Sequence, residues 1–150
     1  MKKSLWSVVI LVLSVFLFGC EEDDKSYLLS EDFKEEITYY NNELEKIYDE
    51  YKEYRLSNKS HRIHIYNSVN DYIEKAIEFR QIQFPIENEY DEEVYESMKW
   101  YVDTIVINME QVLLMLNSVQ VSEKSITLEH EKHMQALRDW LSIKKEYGIN

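Results

Sequence analysis

The sequence predicts an all-α fold, an antiparallel up-down bundle of four helices over residues 30–150, and three observations carry that expectation. From residue 21 onward the chain holds one proline, Pro85, and one glycine, Gly148. All-β folds need repeated turns rich in Gly, Pro and Asn-Gly, so this scarcity argues against them. Apolar residues recur at alternating spacings of four and three, the period of a helix with one buried stripe. Helix-capping and helix-breaking residues separate the periodic stretches.

The first helix is the clearest. Phe33, Ile37, Tyr40, Leu44, Ile47, Tyr51 and Tyr54 form one stripe, with Ser30 as N-cap and Ser57-Asn58 and Ser60 as the break. The second is expected from Ser60 to Gln83, carrying Tyr66, Val69, Ile73, Ala76 and Ile77 and ended by Pro85. Asn88 caps the third, with Asp91, Glu92 and Glu93 at its positive end. Its stripe is Val94, Met98, Tyr101, Ile105, Val112, Met115 and Val119, with Asn108 as the polar exception. Ser122 caps the fourth, whose stripe is Ile126, His130, Leu137, Trp140 and Leu141. Lys144, Lys145 and Gly148 signal its end. Short loops between long helices favour the up-down arrangement. A three-helix body with one broken helix is the alternative.

Residues 1–19 stand apart from this body. Lys2 and Lys3 precede an apolar run from Leu5 to Phe18, 14 residues interrupted only by Ser7 and Ser14. A spanning helix needs roughly 20, so the run has the length of a signal-peptide core. At Leu17-Phe18-Gly19-Cys20 the sequence resembles the lipobox of bacterial lipoprotein precursors. Leu17 fills the apolar place, Gly19 the small one and Cys20 the invariant cysteine; Phe18 departs from the pattern, where a small residue is commoner. The resemblance covers about the first twenty residues. It implies cleavage before Cys20, a diacylglycerol thioether on that cysteine, and attachment to the outer face of the cell membrane, or to the outer membrane in a two-membrane host. Residues 20–29 then form a lipidated N-terminus with an acidic tether, Glu21-Glu22-Asp23-Asp24-Lys25-Ser26. Because Cys20 is the only cysteine, its lipidation would exclude disulfides and thiol catalysis.

Removing Lys2 and Lys3 leaves 15 basic against 29 acidic residues, a net of −14. That surface excludes nucleic acid and repels anionic headgroups, which need clustered Lys and Arg. It is compatible with protein partners, cationic peptides and metal cations. The lack of glycine excludes Gly-rich phosphate loops, and no G-x-S-x-G elbow is present. No acid–base pair stands out among the carboxylates, and the chain is expected not to be an enzyme and to carry no cofactor.

The four histidines form two pairs, His61/His64 and His130/His133, each sharing a helix face. Two ligands do not close a zinc site, which needs three or four. The pairs also sit at depths that differ by about 10 Å in the expected bundle. His130-Glu131-Lys132-His133 is one residue too short for the zincin motif. His130 falls on the apolar seam and is expected to point inward, where Asn108 or Gln111 and Tyr48 or Tyr51 would lie at its depth. That group reads either as a buried polar layer fixing helix register or as a ligand pocket. His61 and His64 are expected to be solvated. Tyr39 and Tyr48 lie beside the first seam, free to face a partner. The leading functional expectation is a membrane-anchored, surface-exposed acidic module that docks a protein or peptide. The alternative is a metal or small-ligand binding lipoprotein centred on His130.

Overall fold

The computed structural model describes residues 25–56 and 62–150. Among these residues the fold is all-helical, with four long helices: α1 (Glu31–Leu56), α2 (Arg62–Gln81), α3 (Glu89–Leu116) and α4 (Glu123–Glu146). The expected signal peptide, the lipobox residues Leu17, Phe18, Gly19 and Cys20, the tether as far as Asp24, the break at Ser57-Asn58 and Ser60, and His61 lie outside the described residues. No described helix is long and apolar enough to cross a membrane.

Each helix packs against the next in sequence, and α1 also against α3. Long-range pairs give the directions. Tyr40 meets Glu78 and Phe79 while Tyr48 meets Tyr72, so α1 and α2 are antiparallel. Glu93 meets Tyr147 while Thr104 meets His133, so α3 and α4 are antiparallel too. The result is an up-down-up-down bundle.

Local chemistry sets the helix ends. Asn88 accepts hydrogen bonds from the Tyr90 and Asp91 amides, and Ser122 from that of Ser125, so both expected N-caps are in place. Gly148 sits at φ 61° and the Ile149 amide reaches back to the Lys144 carbonyl at 2.9 Å, a Schellman ending that tucks Ile149 into the core. α3 ends the same way, with Val119 bonded to the Leu114 carbonyl at 2.9 Å. There the left-handed position is held by Ser118 at φ 62° instead of by glycine. Ser30 precedes α1, but its hydroxyl donates to Asp91 Oδ2 at 2.9 Å and its amide to Asp91 Oδ1 at 3.0 Å. It therefore ties the start of α1 to the start of α3.

Residues 25–29, expected to be the last part of the tether, lie against the base of the bundle. Ser26–Leu28 form a 3-10 turn, Leu29 is buried, and the Lys25 amide donates to the Glu146 carbonyl at 2.7 Å. Lys25 also pairs with the Glu146 carboxylate, and Asn88 donates to the Leu28 carbonyl.

The core includes Phe33, Ile37, Tyr40 and Leu44 of α1 and Val94, Met98, Tyr101 and Ile105 of α3, as expected, and also Val102. Three stripes differ from expectation: on α3 the expected Met115 and Val119 are exposed and Val112 is half-buried, because the core stops short of that end of the bundle. On α2 the buried face is Val69, Tyr72, Ala76 and Phe79, while Tyr66 and Ile77 are exposed. The aromatic rings of α2 turn toward those of α1: Phe79 packs on Tyr40, and Tyr72 on Tyr48. On α4 the buried face is His133, Ala136 and Trp140, while Ile126 and Leu141 are exposed and Leu137 is half-buried. The buried face of α4 is thus rotated about the helix axis from the expected one, with His133 inward and His130 outward.

Candidate functional site

At the base, α1 and α4 are locked together. The Trp140 indole donates to Asn41 Oδ1 at 3.2 Å with both groups buried, and Lys144 Nζ donates to Glu45 Oε1 at 2.8 Å. Farther along α4, Tyr48 of α1 meets the His133 ring edge-on, with centroids 6.3 Å apart. From there toward the far end the two helices line opposite sides of a groove of about 380 Å³, with α3 as its floor.

The α1 wall is Tyr48, Tyr51, Lys52 and Arg55. The α4 wall is Ile126, His130, His133, Met134 and Leu137. The floor runs from Tyr101 and Ile105 to Val112 and Met115, with Asn108, Met109 and Gln111 between. Among the described residues no carboxylate lines the groove, although the chain has 29 acidic residues. Its three tyrosines, three methionines and one arginine are residue types enriched in protein interfaces, where Asp, Glu, Ser, Ala and Lys are depleted; Lys52 is the exception, and Tyr51, Tyr101 and Met109 are buried beneath the groove surface.

His133 forms the deepest polar group of the α4 wall. Thr104 has a single hydroxyl proton, and it is donated to the Tyr101 carbonyl at 2.8 Å. The contact between Thr104 Oγ1 and His133 Nδ1, at 3.2 Å, therefore has the imidazole as donor. That fixes the Nδ1–H tautomer and leaves Nε2 as an acceptor. Tyr101 stacks on the ring at 5.8 Å and 18°. Burial, and after it the charge of nearby His130, push the His133 pKa below its ordinary value of 6.5, so the ring is neutral at physiological pH. Burial likewise pushes the phenols of Tyr48, Tyr51 and Tyr101 up, and all three remain protonated hydrogen-bond donors. The cations are at the rim: Lys52 pairs with Asp49 at 2.6 Å and lies 5.0 Å from the Tyr48 ring centroid.

The residues expected beside His130 line one groove, but the two histidines are exchanged. His130, predicted to point into the core, is exposed at the groove wall, and His133 is the buried one at 7 % exposure. The reason is the rotation of α4 that seats Trp140, at 0 % exposure, in the core. Tyr48, Tyr51, Asn108 and Gln111 all line the groove, as their expected depth beside His130 implied. Asn108 is held by its own helix, donating to the Thr104 carbonyl at 2.9 Å. His64 lies elsewhere, exposed and stacked on Tyr54 with centroids 4.9 Å apart. Among the described residues no three His, Cys, Asp or Glu side chains converge on a point that would hold a metal ion.

Lys52, Arg55, Met109 and Met134 were not legible as site residues. Met134 stands four after His130 and eight after Ile126, so a helix-face reading of the α4 edge would have found it. The groove offers apolar surface, phenol and amide hydrogen-bonding groups, and two cations at one rim, which is chemistry for binding. No protein-family model, curated protein or solved structure matches the chain.

Proposed function

We propose that this chain is a lipid-anchored module on the outer face of the cell membrane that docks a protein or peptide partner in the groove between α1, α3 and α4. The observation that carries the reading is the lining: an acid-free strip rich in Tyr and Met, on a chain whose surface is otherwise strongly acidic. The lipobox resemblance at Leu17-Phe18-Gly19-Cys20 supports the anchor. Two acyl chains attach a protein stably where one does so only marginally. Lys25 is bonded to Glu146 at the base of the bundle, and the groove begins at Leu137 on α4. By the helical rise its near end is about 14 Å, and its far end about 30 Å, from the anchored base. A partner would be met away from the bilayer.

Crosslinking and pull-down from intact cells, comparing the native chain with Met134→Arg and with an unrelated lipoprotein, tests the docking. A protein captured by the native chain and lost with Met134→Arg is expected. Capture that ignores the substitution would sink the groove as the docking site. For the anchor, Cys20→Ala should abolish metabolic palmitate labelling; continued labelling would remove the lipoprotein assignment.

The groove volume also falls within the range of small-molecule sites, roughly 300–1,000 Å³, which favours one second reading: a metal or small ligand held near His133 Nε2 and His130. A divalent ion that raises the melting temperature of the native chain but not of His130→Ala or His133→Ala would support it. The absence of any such shift would remove the metal form of that reading.

A further inference from the structure

We infer that the occupant of the groove is an amphipathic helix of about three turns carrying a carboxylate on the side that meets α1; this rests on the docking reading above and adds the chemistry of the partner. Three observations converge on it. The first is length. The α4 wall from Ile126 to Leu137 spans about 17 Å at 1.5 Å per residue, three helical turns.

The second is the form of the walls. Ile126, His130 and Met134 follow one another at four-residue spacing along the exposed α4 wall, and on the floor Val112 and Met115 stand three apart at the open end, beyond the buried Ile105 and Met109. Such rows are the ridges between which the side chains of another helix seat. A helix satisfies its own backbone hydrogen bonds, whereas an extended peptide needs partners for its exposed amides and carbonyls. The floor has few to give: the Asn108 amide is committed to the Thr104 carbonyl, and Gln111 points to Ser125 Oγ at 3.5 Å. Flexible methionine side chains at the exposed Met115 and Met134 suit a helix face by repacking around it.

The third is charge. Lys52 and Arg55 stand on the α1 wall at positions three apart, and among the described residues no acidic side chain lines the groove itself. Lys52 pairs with Asp49 at 2.6 Å, an exposed pair of little strength. Arg55 is in none of the ion pairs of the described residues; burial raises the Tyr51 pKa, and the positive charge of Arg55 pulls against that effect. A carboxylate on the docked helix would complete this rim, and a cationic helix face would be repelled by it. The partner's chemistry is therefore opposite to what the net charge of the chain alone suggests.

The test selects a displayed library of helical peptides of about 16 residues against the full chain in phospholipid nanodiscs. The apolar face of the library is built from Leu, Ile and Phe at helical spacing, and one flanking position varies among Glu, Gln and Lys. Enrichment of Glu is expected, with binding weakened about fivefold or more by the double substitution Lys52→Glu and Arg55→Glu. The same double variant should then prefer the Lys peptides, and Met134→Arg should abolish binding of both. Circular dichroism of the three chains checks that these exposed substitutions leave the bundle folded.

Peptides that need the native Met134 but show no preference among Glu, Gln and Lys would overturn the acidic helix and leave docking in place. So would equal binding of a version interrupted by proline. If no peptide binds while cells yield a partner that depends on Met134, the helix falls and the groove stands. If neither is found, both readings fall.

Discussion

At the base of the bundle the fully buried carboxylate of Asp91 accepts hydrogen bonds from the amide and hydroxyl of Ser30 and from the Glu87 amide, the last at 3.0 Å. It binds together three segments distant in sequence: the start of α1, the connection after α2 and the first turn of α3. Its place in that first turn also suits the partial positive charge of a helix N-terminus. Asp91→Ala should cost about 2–4 kcal/mol, because buried donors are left without an acceptor. Denaturant unfolding measures this, and a loss under ~1 kcal/mol would show that water replaces the carboxylate at no great cost. His133 makes a second prediction at this scale. In the unfolded chain its ring takes up a proton near pH 6.5, whereas in the folded protein burial and His130 delay uptake to lower pH. The unfolded state therefore binds more protons in that window. The contribution of His133 to stability is complete above the unfolded value and declines as pH falls below it. Unfolding free energies of native and His133→Gln chains between pH 8 and pH 5.5 should diverge in slope only in the lower part of the range. Parallel curves would contradict the burial of the ring.

Among the elements, the ends of α3 and α4 form a natural comparison. Both close with a Schellman bond, but Gly148 occupies the left-handed position in one and Ser118 in the other. A residue with a Cβ is disfavoured there by roughly 1–2 kcal/mol, part of which glycine recovers against its larger unfolded-state entropy. Ser118→Gly should raise stability by about 0.5–1 kcal/mol, and Gly148→Ala should lower it by about 1 kcal/mol. A destabilising Ser118→Gly would mean that the serine side chain has a partner worth more than the backbone relief. Helix ends of this kind were legible in the sequence. Asn88, Ser122, Pro85 and Gly148 act on backbone groups within a few residues of themselves, and each stands where its type predicts. Stripe orientation was less legible. On α2 and α4 more apolar residues are available than one face can bury, and sequence spacing alone does not choose among them.

For the molecule as a whole, the two ends of the bundle differ in construction. The base holds Asp91, the Trp140–Asn41 and Lys144–Glu45 pairs and the docked residues 25–29. The far end holds the groove, with Met115, Val119, Ile126 and Leu128 exposed. Local opening follows the density of buried contacts. Amide hydrogen exchange should therefore be slowest around Ile37, Val94 and Trp140 and faster by orders of magnitude over residues 112–128. Uniform protection along α3 and α4 would show that the groove end is as firmly held as the base. A loosely held groove end would also let its walls adjust to a docked helix.

The sequence by itself determined the all-α class, the number of helices, their ends to within a few residues, and the neighbourhood of the site. Tyr48, Tyr51, Asn108 and Gln111 were placed at one depth with the His130/His133 pair because helical rise converts residue number directly into height. Only the tertiary structure decided which histidine is inside and that the site is a groove. Burying Trp140 against Asn41 sets the rotation of α4, and that rotation sends His133 to Thr104 and His130 to the rim. Height along a helix is a local property of the backbone. Rotation about its axis is settled by the packing of the largest side chains against partners some hundred residues away, as Trp140 is from Asn41.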